Sequence, residues 1–260
     1  MSERETVGDS TGRRIVLITG ASRGIGAETA RALAAGGDHV IVNYREKRKR
    51  AQTIVEEIIE AGGSASIAGA DIADADSTAA LIAGVVAEFG RLDVLVLNAS
   101  GGLERNAGPD YAMVLNRDAQ VRLVRQALPE LPSGGRIVFV TSHQAHFHGR
   151  KPVPADYEPI AASKRAGEDA LRAMVPELTE RGIGLNVVSG DMIDGTIIVR
   201  LLERRDPDAV SARRDHGALP TIAEFAAVVA EAASAATESG RTFYVGGPDY
   251  LADGAQDIPA

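Results

Sequence analysis

The sequence predicts a single α/β domain, a doubly wound sheet of seven mostly parallel strands with helices on both faces. Three observations predict it. Short β-branched runs alternate with Ala-rich stretches, a Gly-rich turn follows the first run, and apolar residues in the intervening stretches recur at three- and four-residue spacing. The strand candidates are Ile15 to Thr19, His39 to Tyr44, Ser64 to Gly69, Leu92 to Asn98, Gly135 to Thr141, Gly184 to Ser189 and Thr242 to Val245. Such runs suit strands covered on both faces. Helices are expected at Gly26 to Ala35, Lys47 to Ala61, Ser77 to Phe89, Tyr111 to Leu128, Ile160 to Arg181 and Ile222 to Ala236. Irregular stretches remain at Ala99 to Asp110, His143 to Pro159 and Gly190 to Pro220. All three follow strands, where open α/β sheets bind their ligands. No repeat, linker or composition shift divides residues 14–260, and residues 1–13 read as a flexible polar tail.

A formal net charge of -8 opposes general attraction to nucleic acid or anionic membranes. With no cysteine, the 260-residue chain has no disulfide, thiolate nucleophile or Cys-type metal site, which fits a reducing compartment. No apolar run approaches the ~20 residues of a membrane span, and the first 13 residues lack the apolar core of a leader. The expectation is a cytoplasmic protein.

The turn Thr19-Gly20-Ala21-Ser22-Arg23-Gly24-Ile25-Gly26 lies between a strand and a helix, the context in which such glycines cradle a dinucleotide. Gly20, Gly24 and Gly26 let the backbone approach a pyrophosphate, whose charge is favoured at a helix N-terminus. The spacing TGxxxGxG resembles the short-chain dehydrogenase/reductase superfamily, and the likeness runs from about Arg14 to Gly247. It implies a Rossmann-type domain that binds its cofactor through Gly20, Ser22, Arg23, Gly24, Ile25 and Gly26. Asp71-Ile72 is similar to the family's adenine-contacting pair, and Asn98-Ala99-Ser100-Gly101 to its Asn-Ala-Gly turn beside the cofactor. Asn116 matches its catalytic Asn and Ser142 its substrate-orienting Ser. Tyr244-Val245-Gly246-Gly247 resembles its final strand.

The second strand ends Asn43-Tyr44-Arg45, without the acidic residue that would accept bonds from a ribose 2′-hydroxyl and repel a 2′-phosphate. Arg45, beside Tyr44 and joined by Arg23, favours NADP(H) over NAD(H). The remaining cations of Lys47-Arg48-Lys49-Arg50 read as a solvated helix face.

The catalytic element departs from the family. Its Tyr-x-x-x-Lys reads Ile160-Ala161-Ala162-Ser163-Lys164, so Lys164 is present and the phenol is missing. In the family the Tyr protonates the carbonyl oxygen, the Lys lowers the Tyr pKa and grips the nicotinamide ribose, and the Ser holds the carbonyl. An aliphatic Ile160 has no proton to give, and losing a general acid typically costs ~10²- to 10⁴-fold in rate. Three substitutes are open. Tyr157 falls on nearly the same face if the helix starts early, with Asp156 as N-cap and Pro159 in the first turn, about 4.5 Å along the axis from position 160. His143, His146 and His148 follow Ser142; a polar surface loop is the favoured reading, catalysis the second and metal the last, and no metal site is expected. The third is a proton from substrate or ordered water.

The family's Pro-Gly after the sixth strand is replaced by Ser189-Gly190-Asp191-Met192-Ile193, which puts the backbone contact of Ile193 with the nicotinamide in doubt. Arg200, Arg204, Arg205, Arg213 and Arg214 then alternate with Glu203, Asp206, Asp208 and Asp215, and surface pairing is favoured over an acidic-substrate site. The resulting expectation is an NADP(H)-dependent reductase of a small-molecule carbonyl, or dehydrogenase of the matching alcohol, with Asn116, Ser142 and Lys164 kept and Tyr157 as acid. The resemblance implies a homodimer or homotetramer through the fourth and fifth helices. The alternative is a catalytically silent NADP(H)-binding sensor or scaffold.

Overall fold

Every strand in the described residues pairs in parallel, in the order β3-β2-β1-β4-β5-β6-β7. The structure, a computed structural model, describes residues 12–102, 108, 110–205, 207–215, 217–235 and 239–252. Residues 1–11 of the expected tail, most of the loop from 103 to 109, Asp206 and Ala236 lie outside them. The strands are β1 (Ile15–Ile18), β2 (His39–Tyr44), β3 (Ser64–Gly69), β4 (Val94–Leu97), β5 (Arg136–Ser142), β6 (Gly184–Gly190) and β7 (Thr242–Val245). All seven expected strands are present, and the mixed character allowed by the sequence is replaced by a wholly parallel sheet.

The chain reverses direction in sheet order after β3, returning to β4 beside β1. This creates a switch point between β1 and β4, where the carboxyl ends of strands leave a crevice. Buried residues form two cores, one on each face. One contains Leu81 and Val85 of α3 (Ala75–Phe89), Leu123 of α5 (Ala119–Ala127), Leu171 of α7 (Glu158–Arg172) and Leu178 of α8 (Val175–Glu180). The other contains Ala30 of α1 (Gly24–Ala35), Val55 of α2 (Arg48–Glu60) and Phe225 of α11 (Ile222–Ser234). β1 and β4 are buried along their whole length between these layers.

Local chemistry moves several boundaries. α3 starts two residues earlier than its periodicity suggests, because the Asp74 carboxylate accepts a 2.6 Å bond from the Ser77 amide and caps it. The helix expected over 111–128 is continuous but contains a short α4 (Tyr111–Met113) and a π-helical turn at Val114–Asp118 before α5. The helix expected over 160–181 divides after Arg172, and Pro176, which lacks an amide proton, sits in the first turn of α8.

Two stretches expected to be irregular carry helices. The loop after β5 holds α6 (His143–His146) and a 3₁₀ turn, Ala155–Tyr157, that runs into α7. The loop after β6 holds α9 (Ile197–Arg205) and α10 (Pro207–Asp215), and the chain after β7 enters α12 (Pro248–Ala252). Asp156 lies inside the 3₁₀ turn and does not cap α7; the N-cap position is Tyr157 itself, while Pro159 is in the first turn as expected.

Candidate active site

At the switch point the Gly-rich turn is fastened by side chains from three neighbouring strand ends. The Thr19 hydroxyl accepts 3.0 Å bonds from the amides of Asn98 and Ala99, and Asn98 Nδ2 donates to the Thr19 carbonyl at 2.9 Å. Asn43 Oδ1 accepts from the Gly20 amide at 3.2 Å, while its Nδ2 bonds the carbonyls of Ala68 and Ala70. Gly20 has φ of 64°, a conformation that favours glycine, and a Cβ on Gly26 would sit 2.5 Å from Asn98 Nδ2. Ser22 and Ile25 are half-buried in this turn, and Arg23, at the N-terminus of α1, is exposed beside an open groove of about 470 Å³. Thr19 and Asn43 are site-building residues that the sequence reading passed over. Their signal was a polar residue at or next to the carboxyl end of a β-branched run.

After β3, at the pair expected to meet the adenine, Asp71 accepts a bond from the Ala73 amide at 2.9 Å and Ile72 is buried. The Arg45 guanidinium donates to the Tyr111 hydroxyl at 2.9 Å, spanning from β2 to α4. Tyr44 is turned differently from the expectation of a cofactor contact. Its ring is buried in the core and its hydroxyl accepts a 3.2 Å bond from Arg48, because Gly69 leaves room for a ring on that side.

The second half of the site is assembled around α7. Asn116 lies in the π-helical turn, a backbone feature frequent at functional sites, and its Nδ2 donates to the Gly101 carbonyl (2.9 Å) and the Ser163 hydroxyl (3.0 Å). Its amide thus brackets the Asn98–Gly101 turn against α7. Gly167 allows that approach, since a Cβ there would collide with the Asn116 carbonyl. Ser100 is exposed, Ala99 half-buried, and Ile160 is buried with its side chain against Gly102.

Ser142, at the end of β5, has its hydroxyl 3.3 Å from that of Tyr157. The 3₁₀ turn, not an early start of α7, delivers this phenol to the β5 end. Burial raises the Tyr157 pKa, opposed by the bond from Ser142. Lys164 is 8% exposed and has no hydrogen-bond partner among the described residues. Burial lowers its pKa to about 8, with the carboxylate of Glu168 acting in the opposite sense.

The histidines do not form the surface loop favoured above. His143 and His146 are each 1% exposed, because α6 tucks them under β6 and β7. His143 bonds the Ser189 hydroxyl at 2.8 Å and the Gly246 carbonyl at 3.0 Å, and burial lowers its pKa to about 4. His146 lies between Glu168 (2.9 Å) and the Tyr244 hydroxyl (3.2 Å). Only His148 is on the outside, bonded to Glu158 at 2.6 Å. No cluster of metal-ligating side chains occurs among the described residues.

The altered turn after β6 has a packing reason: a Cβ at Gly190 would strike the ring of Phe225. Ile193 is buried, and its carbonyl accepts from the Thr196 hydroxyl at 2.8 Å. Of the arginines beyond it, Arg214 pairs with Glu203 at 2.7 Å on the surface. Arg213 instead clasps Asp191 (2.8 Å) and Asp249 (2.6 Å) and lies over the Tyr250 ring, which joins α10 to the segment after β7.

A parallel sheet with a Gly-rich turn at its switch point, and a Ser–Tyr hydroxyl pair at the end of β5, is the architecture in which α/β proteins bind dinucleotides. The chain belongs to the short-chain dehydrogenase family, whose model matches residues 14–206. It is 36% identical over 188 residues to 1-cyclohexenylcarbonyl-CoA reductase of Streptomyces collinus, covering 70% of this chain and 65% of that protein. It is 35% identical over 182 residues to versicolorin reductase 1 of Aspergillus parasiticus, covering 68% of each. Among solved structures it is similar to the angucycline C-6 ketoreductase LanV with bound NADP, with a TM-score of 0.77 at 30% identity over 92% of this chain and 96% of that one. A metagenomic short-chain oxidoreductase in complex with NADP gives 0.70 at 28% identity, covering 89% and 96%.

Proposed function

We propose that the protein is an NADP(H)-dependent oxidoreductase that interconverts a small-molecule carbonyl and its alcohol, with Tyr157 as the relocated proton donor. The observation that carries this reading is the 3.3 Å pairing of the Tyr157 and Ser142 hydroxyls, Tyr157 lying at the entry to the helix that carries Lys164. The turn suits a dinucleotide: Gly20 and Gly26 leave no space for a Cβ, and α1 points its free amides at the crevice. Gly20, Ser22, Gly24, Ile25 and Gly26 take the pyrophosphate. Arg45 and Arg23 take the 2′-phosphate, and Asp71 and Ile72 the adenine. NADP bound to the similar ketoreductase and oxidoreductase supports the choice of cofactor.

When bound, the nicotinamide supplies the hydride. Ser142 donates a hydrogen bond to the substrate carbonyl oxygen, and the Tyr157 phenol passes its proton to that oxygen as the carbon is reduced. A phenol is protonated at neutral pH at its ordinary pKa, the form an acid needs, and burial moves the Tyr157 pKa further up. Lys164, cationic below about pH 8, grips the nicotinamide ribose, while the hydrogen bond with Ser142 lowers the pKa of the phenol. Asn116 holds the cofactor turn against α7, and Ile193 lines the nicotinamide end.

Pairing of copies as a homodimer or homotetramer through the helices over 111–128 and α7, between which an open groove of about 490 Å³ runs, belongs to the same proposal and is read from the molar mass in solution. No helix among the described residues is long and apolar enough to cross a membrane.

The test is Tyr157→Phe, assayed with NADPH against aldehydes, ketones and quinones. The expected result is a roughly 10²- to 10⁴-fold fall in kcat with NADPH affinity retained. An unchanged rate removes Tyr157 from the mechanism. NADPH binding without turnover by the wild-type protein on the whole panel replaces this reading with the silent binder.

A further inference from the structure

Glu168 is a fully buried carboxylate that the reaction above does not use. It lies one helical turn beyond Lys164, on the same inward face of α7, with 0% of its surface exposed. Its oxygens are taken by His146 Nδ1 at 2.9 and 3.0 Å and by Arg172 Nε at 2.9 Å. Arg172 is fixed in turn by the Gly240 carbonyl and the Thr242 hydroxyl, both at 2.6 Å. A carboxylate is expensive to bury unless cations or donors surround it, and the converse holds for a buried ammonium.

We infer that Glu168 is a positioning residue for the reaction, a buried counter-charge that lies one helical turn from Lys164 on the inward face of α7 and is shared between Lys164 and Arg172. The other titratable groups near this face do not replace it. The π turn presents Arg117 and Asp118, which neutralise each other at 2.6 Å, and α4 presents Tyr111, engaged by Arg45. On α5, Arg122 donates to the Ile72 carbonyl, and the 3₁₀ turn and β5 contribute Tyr157 bonded to Ser142. α6 offers His146, whose two ring nitrogens are occupied by Glu168 and Tyr244, and His143, held by Ser189 and Gly246. Asp191, after β6, is committed to Arg213. Glu168 is therefore the carboxylate that acts on Lys164, in accord with the direction in which it moves the lysine's titration.

The inference rests on Lys164 as the ribose-gripping residue, and it is tested without turnover. The chain has four lysines, so in protein carrying ¹³C-labelled lysine the Lys164 Cε resonance is assignable with Lys164→Arg and its midpoint readable by NMR. Glu168→Gln keeps the shape and the bonding to Arg172 and His146 while removing the charge. It is expected to lower the Lys164 midpoint by about one pH unit or more. Arg172→Gln removes the competing cation and is expected to raise it. Tyr244→Phe, which alters the far end of the same network without changing charge, is expected to leave it in place. A merely structural network does not produce shifts of opposite sign. An unmoved midpoint in Glu168→Gln overturns the inference, and if that variant does not fold, an unmoved or lowered midpoint in Arg172→Gln does so. The alkaline fall in NADPH affinity is expected to follow the Lys164 midpoint in each variant. A midpoint that moves while affinity does not overturns the ribose role of Lys164, leaving Tyr157 to be judged by turnover alone.

Discussion

The Gly-rich turn and the proposed catalytic corner lie at neighbouring strand ends, yet they are constrained in different ways. At the turn, backbone meets backbone: Gly20 has a positive φ, Gly26 faces the Asn98 amide at 2.5 Å from where a Cβ would be, and Thr19 and Asn43 fasten what remains. Steric demands of that kind admit one residue type at one position. At the corner, a hydroxyl must reach a place near Ser142, and a long side chain can do so from more than one point on the chain. Tyr157 does it from a 3₁₀ turn three residues ahead of Ile160, which is buried against Gly102. Groups defined by backbone space stay put, whereas groups defined by reach can migrate.

The largest expected effect that breaks this contrast is Tyr157→Phe, described above, which separates rate from binding. The reciprocal change is Gly26→Ala, where a methyl group enters a close-packed site. Overpacking of about 1–3 kcal/mol predicts a roughly 5- to 150-fold loss of NADPH affinity by fluorescence titration, with the loss falling on Kd rather than on the proton-transfer step. Ile160→Tyr asks whether the donor can be returned to the family's position. A larger ring against Gly102 is expected to destabilise the chain by about 1–3 kcal/mol in urea unfolding, and activity that rises instead shows that the corner still accommodates the original geometry.

A smaller effect lies in pH. His143 is held neutral in the folded chain, with its pKa at about 4 against the ordinary value of 6.5. Below 6.5 the unfolded chain binds a proton that the folded one refuses, so stability falls as pH drops from about 6.5 to about 4. The slope approaches about 1.4 kcal/mol per pH unit within that window and vanishes below it. His143→Asn is expected to remove this part of the acid sensitivity in thermal melts at pH 7, 6 and 5. The smallest effect belongs to the fold rather than the site. Asp74→Ala removes the cap of α3 and is expected to cost about 1 kcal/mol without changing kcat.

Much of the contrast was already visible in the sequence. The glycines and the seven apolar runs specify the sheet and the turn because both rest on local sterics and short periodicities. Ile160, at the position where the family resemblance implies a phenol, is equally plain. The path of Tyr157 was less accessible, since an early α-helical start and a 3₁₀ turn place the same side chain differently. The burial of His143 and His146 depends on Ser189 and Glu168, partners 46 and 22 residues away that no local pattern links to them. Glu168 did leave a trace: an acid on the stripe that also holds Ile160, Lys164 and Leu171, the inward face of α7. The mixed charges between Arg200 and Asp215 hid α9 and α10, because their alternation reads as a solvated surface at any secondary structure.

Ser142 begins α6 as well as facing Tyr157, and its oxygen accepts the Ala145 amide proton at 3.3 Å. A hydroxyl has two lone pairs and a single hydrogen. With one lone pair already claimed by the peptide that opens α6, the oxygen is electron-poor on that side and its hydrogen is left for whatever oxygen arrives opposite. The aim of this donor is thus written into four consecutive residues of backbone, 142 to 145. Remodelling of the chain beyond them, for a bulkier or smaller substrate, leaves that aim unchanged.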